Sequence, residues 1–263
     1  MLYRYARVLW AQVRASLLLA MQYRAEFFGA SVSALISLVA ALLPLVIVFG
    51  DRRTIAGWTL DESLVVVGIF TLLKALLGGA VFPSLQAVVE HVRQGTLDYV
   101  LIKPVDAQFL ISTARLEPWR LSEALGGIAV LVTAFVRLDT TPNAASLAIA
   151  TLLITSAAVI LYALLMLAVA LSFFVVRADN LSYLLASLFD AARWPISVFS
   201  GIVRLIFTFV LPLAVMTTYP AAALLGRLEA TTVAASLAGA AVFVLLARLT
   251  WMRALRHYTS ASS

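Results

Sequence analysis

Cysteine is absent from this chain. Its absence excludes a disulfide scaffold, a thiol nucleophile and a thiolate-ligated metal. Charge is scarce as well. Asp, Glu, Lys and Arg supply 12% of the residues, where an ordinary soluble domain carries about 25%. Histidine occurs only at His91 and His257, and neither has a second His or a carboxylate at helical metal-ligand spacing, so no metal site is expected. No G-x-x-x-x-G-K-[ST] run exists, so the chain has no P-loop of its own for ATP. Ser200-Gly201 places a hydroxyl in an apolar stretch, but no His falls in any apolar run to activate it. That argues against a membrane-embedded serine hydrolase.

What the chain has in abundance is apolar side chain: 63% of its 263 residues are hydrophobic. A soluble fold of this size has no interior large enough to hide them, whereas lipid accepts them as a solvent. The expected class is an all-α integral membrane protein, one domain over 1–263, with about six spanning helices. The first span is expected at Phe27–Phe49, the second at Leu64–Phe82 and the third at Leu121–Val136. The fourth is expected at Leu147–Val176, the fifth at Ile196–Met216 and the last at Thr232–Ala247. Leu181–Arg193 reads as partly interfacial. Pro212 to Leu225 reads as a broken segment that dips back into the membrane, tolerated only where protein or water covers its backbone.

The opening 1–24 read as an amphipathic interfacial helix. Arg4, Arg7 and Arg14 recur at helical spacing among Tyr3, Trp10 and Leu17–Leu19. Arg14 interrupts what would be the core of a cleaved signal. The net charge is +6, and all basic residues but Lys74 and Lys103 are arginine. In a soluble protein this balance would suggest nucleic acid. Here it fits the excess of Arg and Lys on cytoplasmic loops, and no nucleic-acid partner is expected. With the N-terminus inside, the outer segments hold only Arg52, Arg53, Arg137 and Arg227. Both termini are therefore expected to face the cytoplasm of a plasma membrane.

Three ionisable residues fall within or at the edge of spans. Lys74 reads either as a group facing a bundle interior, paired with Glu123 or an anionic substrate, or as a side chain snorkelling to the headgroups. Arg204 poses the same choice. Together Lys74, Glu123 and Arg204 are the candidates for a translocation path. The small residues Ala234, Ala235, Ser236, Ala238, Gly239, Ala240 and Ala241 suit close helix packing, within the chain or with a second subunit.

The inner segment 83–120 is long for a mere connector. Leu85 to Arg93 suits a short helix, Gly95 suits its end, and Lys103-Pro104 marks a further break. Glu90, His91 and Arg93 are the polar side chains such a helix would offer. Asp98 and Lys103 are placed for a local ion pair.

Gly95-Thr96-Leu97-Asp98-Tyr99-Val100-Leu101-Ile102-Lys103-Pro104-Val105 resembles the G-x-[LI]-D-x-x-L-x-[KR]-P signature of bacterial ABC-2 type permeases. Leu211-Pro212 followed by Thr217-Thr218-Tyr219-Pro220 is similar to the Pro-containing run before the last span in one branch of that family. The resemblance implies a type V exporter-like permease fold with no cofactor in this chain, and with ATP and Mg bound by a separate P-loop ATPase dimer. It implies a coupling helix at about Ala87 to Gln94, with Gly95 to Pro104 shaping its exit. Glu90, His91 and Arg93 would meet the ATPase. It also implies a re-entrant outer segment, 212–228, containing Pro212, Tyr219 and Pro220, and a second permease subunit, identical or homologous. An ATP-independent channel or secondary transporter is the alternative. It would call for several intramembrane ionisable groups, and Lys74, Arg204 and Glu123 are few.

Overall fold

The computed structural model describes residues 2–22, 24–173 and 179–257. Among them every regular element is helical, and one isolated bridge, Ile55 to Trp58, closes a loop. This is the all-α solution that lipid imposes, because each backbone polar group must be satisfied within its own segment. Five helices are long and apolar enough to cross a membrane: Phe28–Phe49, Leu60–Val92, Pro118–Leu138, Ala144–Leu171 and Ala230–Arg256. They correspond to the first four expected spans and the last.

Helix α1 spans Leu2–Gln22 and α2 spans Arg24–Phe49. Its Tyr5, Gln12 and Ser16 bond to the segment 106–116, while Tyr3, Trp10 and Leu17–Leu19 stay exposed. Tyr5, Gln12 and Ser16 thus face protein, while Arg4, Arg7 and Arg14 are exposed along with the aromatic and leucine side chains, as suits a helix at the membrane interface.

The second span differs from its expected form. Helix α3 (Leu60–Leu76) starts at a capping box in which Thr59 and Glu62 bond each other's backbone amides. It passes through a π-helical segment, Leu77–Val81, directly into α4 (Phe82–Gln94). The whole rod, Leu60–Val92, has 33 residues. At 1.5 Å per residue it is about 50 Å long, so roughly 20 Å projects beyond a 30 Å hydrocarbon core. Pro83 does not end it. A proline inside a helix leaves the carbonyl four residues back without its N–H, and here that carbonyl, Gly79, accepts from the Glu117 N–H at 2.7 Å instead.

Helix α5 (Asp98–Leu101) and α6 (Ala107–Ser112) follow on the same side of the membrane. The third span opens with a 3-10 turn, Pro118–Arg120, and continues as α7 (Leu121–Leu138). Its closest neighbour is α3. A Cβ at Gly127 would lie 3.0 Å from the Gly68 carbonyl oxygen, and one at Gly68 would lie 2.6 Å from Leu131 Cγ. A side chain at either position would have to displace a neighbour, so the two glycines set how closely the helices approach. Helix α8 (Ala144–Ser172) is capped by Asn143. The expected end of that span at Val176 lies outside the described residues.

The fifth crossing comes earlier than the apolar pattern suggests. Helix α9 (Asp179–Phe189) starts beside α4, where Tyr183 Oη donates to Gln86 Oε1 at 3.3 Å and its ring meets Phe82 edge-on. Asp190 is level with Lys74, and Ser197 Oγ donates to the Ala56 carbonyl on the opposite side at 3.1 Å. Residues 179–197 therefore rise through the bundle as a short helix ending in 3-10 turns. Ile196–Met216 is not the fifth span, and Leu181–Arg193 is not merely interfacial.

A hairpin follows. Gly201–Val210, which begins as α10 (Gly201–Leu205), and Ala214–Leu224, which ends as α11 (Tyr219–Leu224), are bent by 69°. The first limb descends until Thr208 and Phe209 lie beside Ile160 and Phe243. Pro212, with no N–H to donate, sits at the break. The second limb climbs back. Thr217 Oγ1 donates to the Ala192 carbonyl at 2.7 Å, and Arg227 pairs with Glu62 on the opposite side. The re-entrant segment thus begins at Gly201 rather than Pro212, and hydropathy, which cannot see a reversal, scores its first limb as part of a span. Helix α12 (Ala230–His257) then crosses back to the α4 side, where Arg248 meets Asp106. Both ends of the described chain lie on that side.

Candidate functional site

The projecting end of the second span is the first candidate. Helix α4 stops at Gly95, which adopts φ +65° and returns its N–H to the His91 and Val92 carbonyls. A left-handed C-cap of this kind is open to glycine at little cost. His91 Nδ1 and Thr96 Oγ1 lie 2.8 Å apart across the turn, and Glu90 accepts from Gln94 one helical turn on. The Arg93 side chain lies outside the described residues. Leu97 is buried and anchors the turn, so that α5 presents Tyr99 and Ile102 outward, 70% and 77% exposed. Asp98 opens α5, and Lys103 and Pro104 are exposed beyond it. The result is a rigid rod ending in a knuckle of mixed apolar and charged side chains.

The second candidate lies within the bilayer. Lys74 is 14 positions beyond Leu60, about 21 Å down the rod at helical rise. Its Nζ is 3.4 Å from Asp190 Oδ1, and Arg193 Nη2 is 3.3 Å from the same oxygen. Both cations lie over the Phe70 ring, at 5.7 Å and 5.5 Å. Arg193 also donates from Nη1 to the Ala40 carbonyl at 3.4 Å. Lys74 does not pair with Glu123. The buried Glu123 faces Arg120 Nη1 at 3.5 Å, and Glu117 takes Arg120 Nε at 3.2 Å. Arg204 is elsewhere, exposed on the descending limb of the hairpin. The three ionisable residues proposed for one path thus divide among three places. Asp190 and Arg193 complete the Lys74 cluster. Their spacing from Lys74 in sequence hides them, but an Asp-x-x-Arg pair inside an apolar run was a visible signal.

A family model described as an ABC-2 family transporter protein matches residues 35–262. The chain belongs to this family. Its matched region holds all five spanning helices apart from the first turns of the first one, together with the whole projecting segment. The chain is thus the membrane permease component of an ABC transporter, a transport component rather than an enzyme. Comparison with curated proteins and with solved structures returned no match. Among the described residues no cluster of His, Asp and Glu suits a metal ion.

The ABC-2 permease also carries a polar junction that the sequence pattern did not disclose. Asp106 caps α6 by accepting from the Phe109 N–H at 3.1 Å, and it pairs with Arg248 of α12 at 3.1 Å. Arg248 also donates to Gln108, which donates to Tyr162 Oη of α8 at 2.9 Å. On the other flank Thr113 Oγ1 donates to Gln12 of α1 at 2.6 Å. Burial alone would raise the Asp106 pKa. The Arg248 hydrogen bond, the Phe109 N–H and the Arg248 charge overcome it and hold the carboxyl below its ordinary value. Helix α6 is therefore sewn to α1, α8 and α12 immediately after the projecting knuckle.

Proposed function

We propose that this permease is the membrane half of an exporter in a bacterial plasma membrane, with both termini cytoplasmic. A separate P-loop ATPase dimer, which binds ATP and Mg, docks on the segment from α4 to Pro104. A second permease subunit, identical or homologous, completes the assembly within the lipid. The observation that carries this reading is the uninterrupted rod Leu60–Val92, long enough to cross the bilayer and still project about 20 Å beyond it. ATP binding moves a permease only if its two conformations engage the ATPase differently. A helix continuous with a span conveys that difference without slack. Glu90, His91 and Arg93 supply the polar contacts, Tyr99 and Ile102 the apolar ones, while Gly95, Asp98, Lys103 and Pro104 set the shape of the knuckle. Lys74 and Glu123 belong to the cargo path from the inner side, and Arg204 to its outer end.

Purification from the host in mild detergent, followed by mass spectrometry, tests the partner directly. A stoichiometric P-loop ATPase is the expected result, and a chain that repeatedly purifies alone would refute the reading. In the reconstituted complex, Glu90→Ala and Arg93→Ala should leave insertion intact and ATP hydrolysis running while transport falls. Unchanged transport in both variants would remove the docking map.

A further inference from the structure

The π-helical segment Leu77–Val81 sits where the rod leaves the hydrocarbon core, and Arg120 lies across it. A Cβ at Gly78 would be 3.2 Å from Arg120 Nε, and one at Gly79 would be 3.2 Å from Arg120 Cβ. The Gly79 carbonyl accepts from the Glu117 N–H at 2.7 Å. The widened helical turn and its two glycines thus form a saddle that seats one arginine. That arginine is the wall between two cavities of opposite character.

On one side lies a cavity of about 260 Å³ that includes Lys74, Arg120, Asp190, Tyr183 and Ser187 in its lining. Two cations and one carboxylate line it, while Glu117 and Glu123 pair with Arg120, and Arg193 with Asp190, from outside the lining. Glu117 and Glu123 are not among its lining residues, and Glu123 is buried. On the other side lies a cavity of about 360 Å³ between α1, α3 and α7, lined by Leu17, Leu72, Leu76, Ala80 and Ala124 among others. Apart from Glu117 and Arg120 its lining is apolar. A chamber lined by two cationic side chains, joined at one residue to an apolar chamber, has the shape and polarity of an amphiphile with an anionic head. Its depth fits too. Lys74 lies roughly 9 Å from the edge of a 30 Å core on the α4 side, within reach of that leaflet's phosphates.

We infer that Lys74 and Arg120 form a binding site for an anionic amphiphile drawn from the leaflet on the α4 side, its phosphate-bearing head against the two cations and one chain in the apolar cavity. Asp190 competes with the head for Lys74, so it tunes affinity downward. The free charge on the headgroup and the chain are both required. A free phosphate meets only half of the site.

Binding is read on the permease alone, so its outcome is independent of whether an ATPase docks. The purified protein in nonionic detergent is titrated with phosphatidylglycerol and with phosphatidylcholine of matched chains, and adducts are counted by native mass spectrometry. The expected result is selective retention of phosphatidylglycerol, reduced by about tenfold in Lys74→Met and restored in Lys74→Arg. Ala124→Leu should reduce it through the tail cavity with every charge intact. Asp190→Asn should increase it, an outcome that misfolding does not mimic. Equal retention of both lipids, unchanged binding in Lys74→Met, or weaker binding in Asp190→Asn at unaltered melting temperature would overturn the site. Glycerol phosphate binding as tightly as the lipid would also overturn it, because the site would then read phosphate alone.

Discussion

Asp106 illustrates how a single side chain acquires a role from partners far away in sequence. Nothing in Val105-Asp106-Ala107 marks it, and an Asp soon after a proline is an ordinary turn residue. In the fold it caps α6 and meets an arginine 142 positions later. Its carboxyl is held below its ordinary value of 3.8. A depressed carboxylate stabilises the native state at pH above the unfolded value, and the contribution is lost as pH falls through the folded value. The α6 junction should therefore hold at neutral pH and loosen below about pH 3.8. Because both partners are partly solvated, the pair is worth about 0–1 kcal/mol. Hydrogen exchange on residues 106–113 is the check. Asp106→Asn should raise exchange there at pH 7 toward the acid value, and equal protection in the variant would show that the pair holds nothing. Lys74 teaches the converse. Its isolation in an apolar run was plain, but the nearest carboxylate in expected position, Glu123, was the wrong partner. Asp190 arrives on the fifth crossing, whose path the apolar pattern misassigned.

At the scale of elements, the crossing of α3 and α7 rests on Gly68 and Gly127, and the two glycines differ in what surrounds them. An added methyl at Gly68 meets the Leu131 side chain, at Cγ 2.6 Å and Cδ2 2.7 Å. At Gly127 it meets backbone, the Gly68 carbonyl at 3.0 Å and the Leu72 amide nitrogen at 3.1 Å, as well as Leu72 Cγ. Gly68→Ala should destabilise by about 1–3 kcal/mol through overpacking, and Leu131→Ala in the same chain should recover part of the loss. Gly127→Ala should not be recovered by that second change, because backbone cannot retreat. Melting temperatures in detergent of the three single variants and both doubles decide it. No recovery in the Gly68 pair would mean that the helices separate rather than repack. The small residues of α12 work differently. A Cβ at Gly239 would meet nothing within 4 Å, and Gly239, Ala235 and Ser236 line an open cavity of about 430 Å³ beside the hairpin. At that position small size makes room rather than contact.

For the whole molecule, the path of the fifth crossing is the feature with the largest consequence. The apolar run Ile196–Met216 would leave Ser197 on the same side as Tyr99. The fold puts Ser197 against Ala56, across the membrane from the α5 knuckle. The natural lack of cysteine makes the test free of background. Single Tyr99→Cys and Ser197→Cys variants should react with a membrane-impermeant maleimide from opposite faces of oriented vesicles. Labelling of both from one face would restore Ile196–Met216 as the crossing. Composition and hydropathy by themselves determined the all-α membrane class, four of the spans at near their true positions and the last one. They also located the re-entrant prolines and the glycine that ends the projecting helix. These follow from local physics: lipid demands about 20 apolar residues, proline lacks an N–H, and a left-handed turn favours glycine. Only the tertiary structure decided that the second span runs on through Pro83, that the fifth crossing precedes the hairpin, and that Lys74 meets Asp190 and Arg193. Each of those depends on which segments lie side by side, and hydropathy is blind to neighbours: it scores every residue against lipid and none against another helix.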